Sequence, residues 1–350
     1  MKIVFLLPGL GRNVPIGGFK VVYEYANRFS KDGFLVDIHY LTNGCGRLRW
    51  LIASFKCLFK IVAHHSGRDW FNLDDNIQEH VMPYFAYHKI RRADCYVATS
   101  ASTAVVLNKM KVNNRNKFYF IQGYDEDTIT KGVEETFFFG MSKIVISKEL
   151  QSILNSKNLE SEYIPNGFDF NYFKCFIPTS NRNKYSVSMI YCDRTIKGCK
   201  YGLEALRIVK ERYSNLRVVL FGTSERPSII PNDYEYYQQP NQQQHLIINN
   251  ECSIFIATSL NEGWGLPVGE AMICGQAVIC TDNGGYREMA INGQNSIVVP
   301  IKDYNAMANA IIQLIENDDM RISLANNGMN YIKSFTWERS YVKFKHFITA

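Results

Sequence analysis

Two glutamates eight positions apart, Glu262 and Glu270, flank the glycine-rich segment Gly263-Trp264-Gly265-Leu266-Pro267. An apolar run at 252–258 precedes them, so the pattern predicts a buried strand, a turn and then a helix. Pro267 suits the first helical position, because its φ is already helical and it lacks an N–H group. Glu262 then falls in the loop and Glu270 in the first turn. The N–H groups and the positive end of such a helix bind anions.

Two basic residues and further glycines accompany this segment. Arg194 and Lys197 follow a second predicted strand at 187–191. A guanidinium is a rigid cation and a lysine ammonium a mobile one. Glycine lets the backbone approach a phosphate closely, as Gly284-Gly285 would. The set predicts a site that stabilises a departing diphosphate, as in the use of a nucleotide-sugar.

Bulk properties place the chain among globular α/β proteins. Its 350 residues, 46% of them hydrophobic, favour two domains. The formal charge of +6 fits anionic partners without choosing among them. Nine cysteines, an odd number without a C-x-x-C pair, indicate a reduced compartment. The apolar start, Met1 to Gly9, is too short for a secretory signal and predicts a first strand, and no run is long enough to span a bilayer. A cytoplasmic protein is expected.

Strands alternate with amphipathic helices along the chain, which predicts parallel sheets. Each half opens with a strand, a polar turn and a helix, and Gly17-Gly18 forms the turn of the first half. The predicted strands are Ile3–Leu7, Leu35–Leu41, Cys95–Thr99, Phe118–Gln122, Ile144–Ser147, Val187–Tyr191, Leu216–Phe221, Ile254–Thr258 and Ala277–Cys280.

A polar stretch near 173–185 predicts the domain boundary. The expected domains are an acceptor-side Rossmann-like domain at 1–175, a donor-binding one at 176–334, and a final helix at 335–350 that crosses back to the first. Ligands of open α/β sheets bind beyond the carboxyl ends of the strands. The expected site is therefore a cleft between two facing domains.

Several motifs in a fixed order resemble the retaining glycosyltransferases of family 4, the group 1 type, which have the GT-B fold. A segment at Tyr119–Tyr124 is similar to one in a branch acting on bacterial surface polysaccharides. The ordered motifs are Gly17-Gly18, Pro165-Asn166-Gly167-Phe168-Asp169, Arg194 with Lys197-Gly198, Phe221-Gly222, the Glu262/Glu270 pair, and Asp282-Asn283-Gly284-Gly285 with Glu288.

The resemblance implies a hexosyl- or deoxyhexosyltransferase that keeps the anomeric configuration of its donor and needs neither a metal nor a cofactor. Glu270 would bind the ribose hydroxyls and Glu262 the transferred sugar. The catalytic set implied is Glu262, Lys197 and Arg194, with Lys200 a rival cation. The donor-binding set is Glu270, Gly263, Trp264, Gly265, Leu266, Gly284, Gly285, Gly222, Gly17 and Gly18. The acceptor would be a glycan or a lipid-linked sugar in bacterial polysaccharide synthesis.

A basic amphipathic pattern covers residues 47–63. From Arg47 to Arg68 there are five basic residues and no acidic one, with apolar residues at helical spacing. Two interpretations stay open. The helix packs on its own domain with a solvated basic face, or it attaches the protein to an anionic membrane surface on the cytoplasmic side.

Four other functions are alternatives to glycosyl transfer. A nicotinamide-dependent oxidoreductase is disfavoured, because Gly9-Leu10-Gly11 lacks the third glycine of the dinucleotide fingerprint. A sugar-nucleotide epimerase of similar fold and a non-catalytic nucleotide-sugar-binding homologue remain alternatives. Nucleic-acid binding is not expected, since the basic residues are dispersed and no recognition module occurs.

Overall fold

The computed structural model describes residues 1–9, 16–42, 67–124 and 132–350. The chain divides into two compact units, one formed by 1–166 with 337–350 and the other by 167–336. The basic pattern at 47–63 lies outside the described residues. In the part of the chain that is described, no helix is both long and apolar enough to cross a bilayer.

Unit 1 is built on a parallel sheet of seven described strands in the order β3-β2-β1-β4-β5-β6-β7. The order reverses between β1 and β4, as in doubly wound folds. The strands are β1 (Lys2–Pro8), β2 (Leu35–Thr42), β3 (Gln78–Pro83), β4 (Cys95–Ala98), β5 (Lys117–Ile121), β6 (Ser142–Val145) and β7 (Glu162–Tyr163). The helices are α1 (Gly17–Lys31), α2 (Ala101–Lys109), α3 (Val133–Phe137), α4 (Lys148–Asn155) and α10 (Trp337–Thr349).

Helix α10 packs on α1 through aromatic rings. Tyr25 stacks on Phe344 with ring centroids 4.3 Å apart, and Phe29 meets Tyr341 edge-on at 4.9 Å. Asp32, at the end of α1, accepts a hydrogen bond of 2.7 Å from the Tyr341 hydroxyl. Its pKa is lowered by hydrogen bonds from Lys345 and Tyr341. The last helix is therefore part of the core of unit 1.

Unit 2 is built on a parallel sheet of six described strands in the order β10-β9-β8-β11-β12-β13. The strands are β8 (Ser186–Ile190), β9 (Arg217–Gly222), β10 (Glu235–Gln238), β11 (Ile254–Ala257), β12 (Ala277–Thr281) and β13 (Ser296–Val299). The helices are α5 (Cys199–Arg212), α6 (Gln242–Glu251), α7 (Leu266–Ile273), α8 (Tyr304–Glu316) and α9 (Asp318–Ile332). Two parallel sheets with helices confirm the predicted α/β class with two Rossmann-like units.

The strand assignments differ from the predicted ones at the sheet edges. Every predicted strand overlaps an observed one, although β6 begins two residues before the predicted Ile144. The prediction missed β3, β7, β10 and β13, which are the outermost strands of the two sheets.

Residues 167–175, predicted to belong to the first domain, lie in unit 2. The Phe168 N–H donates to the Phe335 carbonyl at 3.1 Å, and the Phe173 ring contacts His245 at 5.5 Å. These contacts are with residues of unit 2, so the chain leaves unit 1 at Asn166 and returns at Trp337.

Candidate active site

Several of the predicted residues lie in loops at the carboxyl edge of the sheet in unit 2. The strand order reverses between β8 and β11, and open α/β sheets bind ligands at such a point. Arg194 and Lys197 follow β8, Glu262 follows β11, and Gly284-Gly285 follow β12. Because the strands are parallel, their loops emerge at the same edge.

The turn that carries Lys197 is fixed to the loop after β11. Gly198 ends this turn at φ +60°, and a Cβ there would lie 2.1 Å from the Thr258 carbonyl oxygen. The Leu260 N–H donates to the Ile196 carbonyl at 2.8 Å, and the Thr258 hydroxyl donates to the Lys197 carbonyl at 2.8 Å. Only glycine fits at 198, since it tolerates both the left-handed backbone and the close approach.

The Lys197 ammonium contacts Oε1 of Glu262, and the two residues form an ion pair. The same oxygen accepts a hydrogen bond of 2.9 Å from the Ser259 hydroxyl. The Lys197 side chain is 30% exposed and that of Glu262 is 19% exposed. The ammonium is thus oriented by protein groups and still reachable by an anionic ligand.

Polar contacts join the loops after β11 and β12. The Asn283 amide donates to the Ser259 carbonyl at 2.9 Å and accepts from the Tyr286 N–H at 3.2 Å. A Cβ on Gly285 would lie 2.5 Å from the Glu262 carbonyl oxygen and 2.7 Å from the Trp264 nitrogen. Among described residues, no partner is recorded for the backbone N–H groups of Gly263 or Gly285. They are suited to an anion.

We expect Gly285→Ala to weaken binding of a nucleoside diphosphate about 10-fold and to lower the free energy of unfolding by about 1–3 kcal/mol. The added methyl would push the 262–264 backbone away, because that backbone has no flexible side-chain end that could yield. Calorimetry with the diphosphate and urea unfolding measure the two effects. Gly123→Ala is the matched control, since its added Cβ has nothing within 4 Å. Equal affinity in both variants would contradict the role of this contact.

Helix α7 starts one residue earlier than predicted. Gly265 is the N-cap in the left-handed region at φ +93°, so Leu266 takes the first helical position and Pro267 the second. The prediction that Pro267 occupies the first position was therefore wrong. The prediction that Glu270 lies in the first turn was also wrong, because it is the fifth helical residue. Proline remains compatible with the second position, where an N–H would also lack a helical partner.

Glu270 is 6% exposed, so its carboxylate is largely buried on the inner side of α7. Burial raises the pKa of Tyr172, and the charge of Glu270 contributes to that rise. The two side chains are therefore close enough to interact electrostatically. The predicted contact of Glu270 with ribose hydroxyls stays a prediction.

The Trp264 ring belongs to the core of unit 2. It stacks on Phe168 at 6.4 Å and meets Phe335 edge-on at 5.4 Å. Phe168 in turn lies so close to α7 that a Cβ on Gly269 would be 2.1 Å from it. The motif residues Phe168 and Trp264 thus pack at the start of α7, and the predicted contact of the Trp264 backbone with a donor stays a prediction.

The remaining predicted residues do not contact the Lys197 and Glu262 side chains. Arg194 begins the turn of Lys197, and its carbonyl accepts from the Lys197 N–H at 2.9 Å. Its side chain is exposed and has no hydrogen-bond or ion-pair partner among the described residues, and Lys200 extends over the Tyr201 ring at 4.9 Å. Gly222 ends β9, where a Cβ would lie 2.2 Å from the Tyr191 carbonyl oxygen. Gly17 and Gly18 begin α1 and belong to unit 1.

Sequence reasoning missed two residues that organise the site, Ser259 and Tyr286, and it named Asn283 as a motif residue without assigning it a role. Tyr286 is buried against Gly265. Its pKa is raised well above the ordinary value by burial and then by the charge of Glu262. Ser259 and Asn283 each come two residues after a strand end. That position at the carboxyl edge was the available signal.

Part of the chain is similar in sequence to known proteins. Residues 178–331 match the family model of glycosyl transferases group 1. An uncharacterized glycosyltransferase, MJ1178 of Methanocaldococcus jannaschii, is 35% identical over 89 residues, 25% of each chain. The lipopolysaccharide core biosynthesis mannosyltransferase LpcC of Rhizobium leguminosarum bv. viciae is 32% identical over 88 residues, also 25% of each chain. The chain thus spans about a quarter of the length of these two relatives.

A solved structure matches over the whole chain. The crystal structure of Anabaena HepE in complex with UDP and glucose has a TM-score of 0.77 at 16% identity, covering 100% of this chain and 99% of that one. At this identity the match concerns the fold. It supports the GT-B class for the arrangement of sheets described above.

Proposed function

We propose that this chain, whose residues 178–331 match the family model of glycosyl transferases group 1, is a retaining glycosyltransferase that takes its sugar from a nucleoside diphosphate sugar. The observation that carries the proposal is the contact of Lys197 with Glu262 at the carboxyl edge of the unit 2 sheet. The surrounding loops hold both residues in place.

The proposed chemistry follows from the charge that develops when the donor's glycosidic bond breaks. Negative charge grows on the leaving diphosphate, and Lys197, Arg194 and the N–H groups of the glycine loops would stabilise it. Cations and amides supply this stabilisation without a metal ion. The acceptor hydroxyl would attack on the face from which the diphosphate departs, and a departing phosphate oxygen would take its proton. Glu262 would contact the transferred sugar and hold Lys197.

The substrate class rests on the relatives. LpcC is named for lipopolysaccharide core biosynthesis, and HepE was crystallised with UDP and glucose. We therefore propose a hexose or deoxyhexose donor, and a glycan or lipid-linked acceptor of bacterial surface polysaccharide synthesis. Such an acceptor would place the protein at the cytoplasmic face of the membrane.

Product analysis tests the reaction type. With its donor and acceptor, the chain should form a glycoside whose anomeric configuration, measured by proton NMR coupling, is that of the donor. A chelator should leave the transfer rate unchanged. An inverted product would contradict the retaining mechanism. Loss of the rate on chelation while circular dichroism shows that the chain stays folded, restored by a divalent ion, would contradict metal independence at the donor site. Isomerisation of the donor without acceptor would favour an epimerase instead.

A further inference from the structure

A cluster of two histidines and one aspartate lies in unit 1. No sequence motif predicted it. Asp37 and His39 are two residues apart on β2, so both side chains lie on the same face of the sheet. His80 is the residue of β3 that pairs with His39 in the parallel ladder. The two imidazole rings stack with centroids 4.6 Å apart.

The ligating atoms of these residues converge. Nε2 of His80 lies 3.6 Å from Oδ2 of Asp37, and Nε2 of His39 lies 4.0 Å from the same oxygen. One ligand atom from each residue falls within 4.8 Å of the others. Zinc bonds of about 2.0–2.2 Å place tetrahedral ligands some 3.3–3.6 Å apart. The Asp37–His80 distance already matches this spacing, and the other ligand atoms would have to approach one another by up to about 1 Å.

The cluster differs from most buried polar groups, because histidine nitrogens within it are buried without hydrogen-bond partners among the described residues. His39 is 1% exposed, and within the described part of the chain neither of its ring nitrogens has a hydrogen-bond partner. Leaving a buried polar group unsatisfied costs about 1–3 kcal/mol. Nε2 of His80 also lacks a hydrogen-bond partner among the described residues, although Oδ2 of Asp37 lies 3.6 Å away. An ion bound through one nitrogen of each ring would satisfy that nitrogen in both imidazoles.

The protonation state of His39 is compatible with metal binding. Burial lowers the pKa of His39 to about 3, with a further contribution from the neighbouring His80, so the ring is neutral near pH 7. Neutral imidazole is the form that binds metals. Two positively charged side chains near the cluster disfavour the binding of a cation. The Lys2 ammonium lies 2.7 Å from Oδ2 of Asp37, and the charge of Arg91 lowers the pKa of both histidines.

We propose that Asp37, His39 and His80 bind one Zn²⁺ ion that fastens the edge strand β3 to β2. Two imidazoles and a carboxylate form a donor set that zinc accepts, with a fourth position left for water. The ion would displace the Lys2 ammonium from Asp37. The site belongs to unit 1, whereas Lys197 and Glu262 belong to unit 2.

Metal titration of the whole chain tests this proposal. After treatment with a chelator and its removal, the protein should bind one Zn²⁺ per chain in competition with a chromophoric chelator, and Zn²⁺ should raise the thermal midpoint. Co²⁺ should give the intense visible absorption of a four-coordinate site. His80→Gln should weaken Zn²⁺ binding at least about 10-fold, and His88→Gln, at an exposed histidine, should leave it unchanged.

Lys2→Met is expected to have the opposite effect on Zn²⁺ affinity. Removal of the competing ammonium should tighten Zn²⁺ binding, which a purely structural role for these histidines does not predict. Circular dichroism checks that each variant is folded. The proposal is overturned if the folded wild-type chain binds no stoichiometric Zn²⁺, or if folded His80→Gln binds it as tightly as the wild type.

Discussion

Lys197→Ala is expected to lower kcat/KM for sugar transfer by about 100- to 1,000-fold, the loss typical of removing one group that stabilises developing negative charge. The Lys197 ammonium is oriented by Glu262 and sits on a turn that backbone hydrogen bonds fix to the loop after β11. Because the charge it would meet grows during bond cleavage, kcat should fall with kcat/KM. Release of the nucleoside diphosphate from the donor, measured with acceptor present, gives both constants.

Lys200→Ala is the matched control for this prediction. Lys200 is only three positions away and carries the same charge, but its ammonium lies over the Tyr201 ring and it is exposed. Its removal should change kcat/KM less than about 3-fold, in line with the small effects of exposed charges. A larger loss in Lys200→Ala than in Lys197→Ala would show that the wrong cation has been assigned to the diphosphate.

Arg182→Met is expected to lower the free energy of unfolding by about 3–5 kcal/mol, since several buried carbonyls would lose their donors at about 1–3 kcal/mol each. The Arg182 guanidinium is buried in unit 2 and donates to main-chain carbonyls of Ile177, Asn249, Cys252 and Cys274. The last three lie at the C-terminal ends of α6 and α7, where carbonyls lack helical partners and a cation is favoured. Urea unfolding measures the loss.

Arg212→Met serves as the control for that measurement. Arg212 pairs with Glu316 on the surface with a side chain that is 55% exposed, so its replacement should cost less than about 1 kcal/mol. If Arg182→Met unfolds at the same urea concentration as the wild type, the carbonyl contacts do not stabilise unit 2 in the way described.

The central strands could be predicted from the sequence because both of their faces are buried. β1 and β11 have uninterrupted buried runs and appear in the sequence as apolar segments. The four missed strands are edge strands. β3 and β10 are mostly partly exposed, and β7 has only two residues. Their assignment depends on pairing with a neighbour, which a local pattern does not contain.

The sequence was sufficient to predict which loops form the site, but not the contacts between those loops. The predicted strand ends and the positions of the glycines put Lys197, Glu262 and Gly285 in loops at the carboxyl edge of one sheet. The contact between Lys197 and Glu262 joins residues 65 positions apart, and the backbone approach at Gly285 depends on how two loops pack. The start of α7 was misplaced by one residue because Gly265, in the left-handed region, ends the turn before Pro267. The His39 and His80 pair depends on strand register and has no local signal.

The most direct test of the donor site is binding of nucleoside diphosphate sugars to the wild-type chain and to Lys197→Ala. A calorimetric or thermal-shift panel of UDP-, GDP-, dTDP- and ADP-sugars should identify a donor that binds the wild type saturably, one per chain, and that the corresponding diphosphate displaces. Lys197→Ala should bind that donor at least about 10-fold more weakly, because it loses a charge-assisted contact with the diphosphate. If no donor in the panel binds, or if folded Lys197→Ala binds it as tightly as the wild type, the proposed donor site is contradicted.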